Sequence, residues 1–416
     1  MKTGLASTRR SALIVTCCLA ALAAILATVG KSSQAGAATS GPDVTVFSFG
    51  PPMSYGSVNG FAGYSIGTTS CNRGDTPLNW CSSGGGCAPG ATSKDHPVIA
   101  QNLYRLKNGR FEQIGMSWLK HGFASLNQGV AGCTDPYDAG LNGGRPLGRR
   151  SDVNATTGAF PYPYSSPGGP YTVYDQRIKV ATADVEPASN AGATYFVEGQ
   201  YIANDDAKAG NSFNNASYRR VTVGAAPNYS LSMTGTFFEQ FPAIFAWPAQ
   251  DTGVILVNAD VPGTIIERYQ VARKVTDMGG SVWHYEYAVH NHNSDRAARA
   301  FSVEFPGSTA FTNVGFKGIV HHSGEPYATD DWTVSSSSNV LTWSTDTFAT
   351  NANAHALRFA TMFNFWFDAD QPPSDAIVHN LDLFKPGDPA SIEIAIVNGL
   401  FTDDFESGGT GNWSSH

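Results

Sequence analysis

Five of the ten histidines, His284, His290, His292, His321 and His322, lie within residues 284–322, where even spacing would put about one. His290 and His292 stand two apart in an extended run. Their imidazoles therefore share one strand face with about 7 Å between Cα atoms, a spacing from which two rings can converge on one metal ion. His321 or His322, in the loop sequence HHSGEP, is the nearest source of a third ligand, and Glu325 can ligate or serve as a base beside a metal-bound water. Imidazole-rich sites suit copper or zinc, and Met116 or Met362 can add a soft ligand to copper. The alternative is that these side chains line the solvent face and loop rim of a sheet and hydrogen-bond locally.

A second chemistry needs only carboxylates. Glu286, Glu304, Glu325, Asp330, Asp331, Asp368 and Asp370 all fall in the C-terminal half, and a glycosidase needs two carboxyl groups roughly 5 to 9 Å apart. Arg358, in HALRFATMFNFWF, is a candidate partner for Glu325 at a catalytic site. Flat rings beside such acids suit sugar stacking. Trp332, next to Asp330 and Asp331 in a loop, and Tyr327 are the expected ligand-binding aromatics, whereas Trp343 and Trp366 sit in strands and read as core. Asp205-Asp206 and Asp330-Asp331 lack the Asp-x-Asp-x-Asp-Gly pattern of a calcium loop. No nucleophile elbow, phosphate-binding loop or dinucleotide fingerprint is present.

The elements that must position these groups are strands. Residues 282–292 alternate without a break: Trp283, Tyr285, Tyr287 and Val289 point one way, His284, Glu286, Ala288, His290 and His292 the other. Met278-Gly279-Gly280 suits a hairpin turn back to TIIERYQVARKV. Asn108-Gly109, between two extended runs, is a type I′ signal, and Pro386-Gly387-Asp388 turns a last hairpin. Short strands separated by Gly, Asn and Pro, with no long segment of 3.6-residue period, predict a mainly β protein, an antiparallel β-sandwich. Proline-rich PYPYSSPGGPY reads as a seam. The expected domains are a loop-rich N-terminal β domain over 38–165, a β-sandwich over 166–400 and a tail over 401–416.

Residues 1–37 are of a different kind. Lys2, Arg9 and Arg10 precede an apolar run from Ala12 to Val29 and the small-residue site Ala35-Gly36-Ala37, the pattern of a secretory signal peptide, with an uncleaved membrane anchor as the alternative. The net charge is −8, and removing residues 1–37 takes away Lys2, Arg9, Arg10 and Lys31 and no acid. Such a surface repels nucleic acid and anionic membranes, so neither is an expected partner once the signal peptide is gone. Cys71, Cys81, Cys87 and Cys133 remain, an even number in an exported chain. They read as two disulfides, Cys81 with Cys87 across SSGGG and Cys71 with Cys133 as the longer tie.

The segment from Trp283 to Trp343, with WHYEYAV followed by AFSVEFP and VLTWST, resembles immunoglobulin-like β-sandwich modules of exported bacterial proteins. The tail DDFESGGTGNWSSH resembles a short terminal motif of exported bacterial proteins, Phe-Glu-Ser-Gly followed by Trp-Ser. The whole chain is similar to a group of secreted bacterial proteins. The resemblance implies a secreted or periplasmic bacterial protein and carries no reaction with it. The leading expectation is a binding or surface-associated protein whose partner is an extracellular glycan or cell-surface component. A histidine-ligated copper or zinc enzyme and a carbohydrate-active enzyme on extracellular polysaccharide are the alternatives.

Overall fold

A computed structural model describes residues 39–398 apart from Ser93 and Phe123. The expected signal peptide and C-terminal tail lie outside the described residues. Ten strands build the first sheet: β1 (Val44–Val58), β2 (Phe61–Asn72), β3 (Val98–Lys107), β4 (Arg110–Met116), β5 (Lys120–His121), β6 (Gly132–Tyr137), β7 (Ile178–Ala181), β8 (Thr194–Ile202), β9 (Ala216–Val223) and β10 (Leu231–Phe238). Its main path runs β1-β2-β7-β4-β3-β8-β9-β10, with β5 on β3 and β6 on β2. The sheet curls until its two edges meet, where Phe49 and Phe237 stack edge to face with centroids 5.1 Å apart.

The remaining strands are β11 (Val254–Val261), β12 (Glu267–Gly279), β13 (Val282–Asn291), β14 (Ala298–Glu304), β15 (Phe311–Lys317), β16 (Thr333–Ser336), β17 (Val340–Ser344), β18 (Thr361–Ala369), β19 (Val378–Leu383) and β20 (Ser391–Ile394). They form two five-stranded sheets, β11-β12-β13-β18-β15 and β16-β17-β14-β19-β20. The named strands pair antiparallel throughout. The mainly β, antiparallel sandwich architecture is therefore the fold of the chain. Between the two five-stranded sheets lies an aromatic core that includes Tyr285, Tyr287, Phe301, Trp343, Phe365 and Phe367.

The seam expected between residues 165 and 166 does not coincide with a change of sheet. Strands β7 to β10 follow it and join the same sheet as β1 to β4. Prolines stop a strand locally, but sheet membership is decided by pairing between distant segments. The change comes between Phe238 and Val254, where short helical turns carry Ile244 and Trp247 into a buried cluster with Tyr104, Phe111, Ala288 and Met362. That cluster joins the ten-stranded sheet to the outer face of the β11-β12-β13-β18 surface. The molecule is thus three layers deep here.

Hairpin chemistry behaves as the sequence predicts. Asn108 (φ 52°) and Gly109 (φ 81°) take the left-handed backbone that a two-residue turn between β3 and β4 requires. The disulfides are Cys71–Cys133 and Cys81–Cys87, closing loops with sequence separations of 62 and 6. Loop-closure entropy then ranks them at about 4 and about 2 kcal/mol. Urea unfolding of the Cys71→Ala/Cys133→Ala and Cys81→Ala/Cys87→Ala variants is expected to reproduce that order. A larger loss from the short loop would mean that native contacts, and not chain entropy, set the ranking.

Candidate functional site

Strand β13 shows the alternation read from the sequence, but both of its faces are covered. Tyr285, Tyr287 and Val289 enter the sandwich core. The opposite face, with Glu286, Ala288 and His290, meets the ten-stranded sheet and its loops. Arg110, just past the β3–β4 turn, holds Glu286 with two bonds of 2.7 and 2.9 Å while its guanidinium lies 3.6 Å above the Trp366 ring. His284 bonds Asp368 at 2.6 Å and Glu286 at 3.3 Å, and these carboxylates raise its pKa, the Glu286 bond most.

The expected metal centre does not assemble. His290 Nδ1 donates to Gln270 Oε1 at 2.8 Å, His292 Nε2 to the Ser212 carbonyl at 2.9 Å, and His322 Nε2 sits between the Met116 and Arg177 carbonyls at 2.9 and 2.7 Å. Each ring thereby carries its proton toward a protein acceptor. Among the described residues no three His, Cys, Asp or Glu side chains come together in metal-ligand geometry. The solvent-face alternative fails as well, because His290, His292, His321 and His322 are all buried. Burial lowers the pKa of His290 to about 3 and those of His292 and His322 to about 4.

What lies near these histidines is a guanidinium. Arg150 is buried, and its field depresses the pKa of His290, His321 and His322. Its Nε donates to the Ser117 carbonyl at 2.6 Å, Nη1 to Ala360 at 3.1 Å, and Nη2 to the Gln101 carbonyl and Asn102 Oδ1 at 3.2 and 2.9 Å. These acceptors come from β3, from the segment after β4 and from the residue before β18. Asn102 in turn donates to the buried Glu198 carboxylate at 2.7 Å. The sequence offers only the Gly-Arg-Arg end of an irregular loop as a sign of this residue.

Three of the predicted residues do meet. His321, Tyr327 and Arg358 line a narrow cleft with Arg150, Asp295 and Lys385; its free volume of about 10 Å³ is close to that of one water. Arg358 lies between two rings, 4.0 Å from the Tyr327 centroid and 4.6 Å from that of Phe384. Its Nη2 donates to the Ala352 and Ala354 carbonyls at 3.2 and 3.0 Å, while its Nε has no protein partner. Neither ring nitrogen of His321 has a protein partner. Burial, together with the charges of His355, Arg358 and Arg150, keeps this imidazole well below its ordinary pKa, hence neutral at pH 7. Burial pushes the Tyr327 hydroxyl up to about 12. At the rim Lys385 Nζ bonds Asp295 at 2.8 Å.

The other predicted roles change. Glu325 does not pair with Arg358; its carboxylate accepts the backbone N–H groups of Arg150 and Ser151 at 2.7 and 3.2 Å. It fastens the HHSGEP loop to the turn that presents Arg150. Trp332 is not an exposed sugar platform. It is 3% exposed, stacks on Phe316 at 5.6 Å and donates Nε1 to the His355 carbonyl at 2.6 Å. The aspartates beside it are exposed, but the ring turns inward ahead of β16. Lys385 and Asp295 went unread in the sequence because no local pattern links positions so far apart.

Comparison with known protein families and with curated proteins returns no match for this chain. No helix among the described residues is long and apolar enough to cross a membrane.

Proposed function

We propose that this chain is an exported bacterial binding protein whose small cleft, lined by His321, Tyr327 and Arg358, takes up a carboxylate oxygen of a ligand outside the cell. The observation that carries this reading is a pair of cations without counter-ions. Neither Arg150 nor Arg358 forms an ion pair among the described residues, and the buried Arg358 Nε and both His321 nitrogens lack protein partners beside this narrow cleft. A carboxylate or sulfate oxygen entering there meets a planar guanidinium, an imidazole N–H and the Tyr327 hydroxyl. The two disulfides are in keeping with an oxidising compartment.

Isothermal titration with acetate and succinate, with acetamide as the uncharged control, tests the reading. Both anions are expected to bind and acetamide to fail. Arg358→Gln should weaken binding at least about tenfold, since a hydrogen bond to a charged group is worth about 1.5–3 kcal/mol. Equal heats from acetate and acetamide, or anion binding unchanged in a folded Arg358→Gln protein, would remove the proposal.

A further inference from the structure

A second cleft lies in the N-terminal part of the chain, apart from the histidine cluster and the Arg358 cleft. It has a volume of about 300 Å³ and is lined by Asn79, Asp95, His96, Phe160, Tyr162 and Asp205 among others. That size is at the lower end of small-molecule sites.

One wall is aromatic and held in place. Phe160 packs with its centroid 5.0 Å from those of both His96 and His121, and His96 Nε2 and His121 Nδ1 are 3.0 Å apart. Tyr164 stacks on His121 at 3.8 Å. Tyr162 stands edge-on to His96 at 6.3 Å and is 43% exposed. The prolines on either side of Tyr162 limit the backbone freedom of this wall.

The lining also holds acceptors. Asp205 Oδ2 accepts the Asn79 backbone N–H at 2.6 Å, and Asp95 Oδ2 accepts the N–H and hydroxyl of Thr92 at 2.8 and 2.9 Å. A carboxylate offers about four lone-pair sites, so both retain capacity for further donors. Two carboxylates against the single Lys94 make the cleft unfavourable for anions. A neutral ligand with many hydroxyl donors and one flat apolar face suits a lining of rings and carboxylates, and that description fits a pyranose ring.

We propose that this cleft is a binding site for a neutral saccharide, with the sugar ring stacked on Tyr162 and its hydroxyls donated to Asp205 and Asp95. The site is independent of the carboxylate cleft and carries its own test. Saturation-transfer NMR on the full chain, with D-glucose, D-galactose, D-mannose and N-acetyl-D-glucosamine as probes, is expected to show transfer to at least one sugar. Tyr162→Ala should abolish the transfer, Tyr162→Phe should retain it because the stacking face survives, and Asp205→Asn should reduce it several-fold. Arg358→Gln should leave it unchanged, which separates this site from the anion cleft. Unfolding curves confirm that each variant is folded. No transfer to any of the four sugars, or equal transfer in wild type and folded Tyr162→Ala, overturns the proposal.

Discussion

Arg150→Met is expected to destabilise the fold by about 3 kcal/mol, one of the largest single-residue effects in the molecule. The substitution keeps the aliphatic stem but leaves the Ser117, Ala360 and Gln101 carbonyls and Asn102 Oδ1 without the donors they now have. Each unsatisfied buried acceptor costs about 1 kcal/mol or more. Against that stands the relief of a guanidinium desolvated without a carboxylate partner, whose pKa burial has already lowered to about 10. The acceptors outnumber the relief because they come from three separate segments that close around the side chain. Arg299→Met is the matching control, since Arg299 pairs with Asp382 at 2.7 Å at the surface and such pairs are worth about 1 kcal/mol or less. Urea unfolding of both variants decides the matter. If Arg150→Met proves as stable as Arg299→Met, the guanidinium does not hold the ten-stranded sheet to the segment before β18.

How far the sequence could be read depended on the range of each signal. The β13 alternation and the Asn108-Gly109 and Pro386-Gly387-Asp388 turns are encoded within a few residues, and the structure pairs their strands accordingly. The disulfide pairing followed from four cysteines, one pair of which is six residues apart. Alternation, however, specifies two faces without saying what covers either. The histidine face of β13 looks like a surface in isolation and becomes an interior only when strands distant in the sequence pack on it through Phe111 and Phe196. Trp332 shows the same limit in miniature, as its acidic neighbours gave no hint of the Phe316 ring beneath it. Of the candidate site, His321, Tyr327 and Arg358 were legible as residue types, but their company depended on Arg150, Asp295 and Lys385, which only the tertiary fold supplies.

The density of histidine has its own expected consequence, a steep loss of stability in mild acid. His121, His290 and His379 are lowered to about 3 and His96, His292 and His322 to about 4, in each case chiefly because burial disfavours the charged ring. In the unfolded chain the same groups titrate near 6.5. Between those values the unfolded state binds more protons than the native state, so stability rises with pH and falls as pH drops below about 6.5. Each such group contributes up to about 1.4 kcal/mol per pH unit. Five carboxyls oppose the trend: burial raises Asp206 to about 8 and Asp135 to about 6 and also raises Asp205, Glu267 and Glu325, so the native state takes up protons there first and gains stability as pH falls. His321 and His355 are lowered as well, so the histidines outweigh these carboxyls, and a loss of at least about 3 kcal/mol is expected between about pH 7 and about pH 5. Urea unfolding across that range measures it directly. His292→Asn should flatten the slope by nearly one proton if the native fold survives the substitution. A stability that stays level down to about pH 5 would show that these imidazoles protonate in place, which a ring enclosed between Ser212 and the ten-stranded sheet should not do.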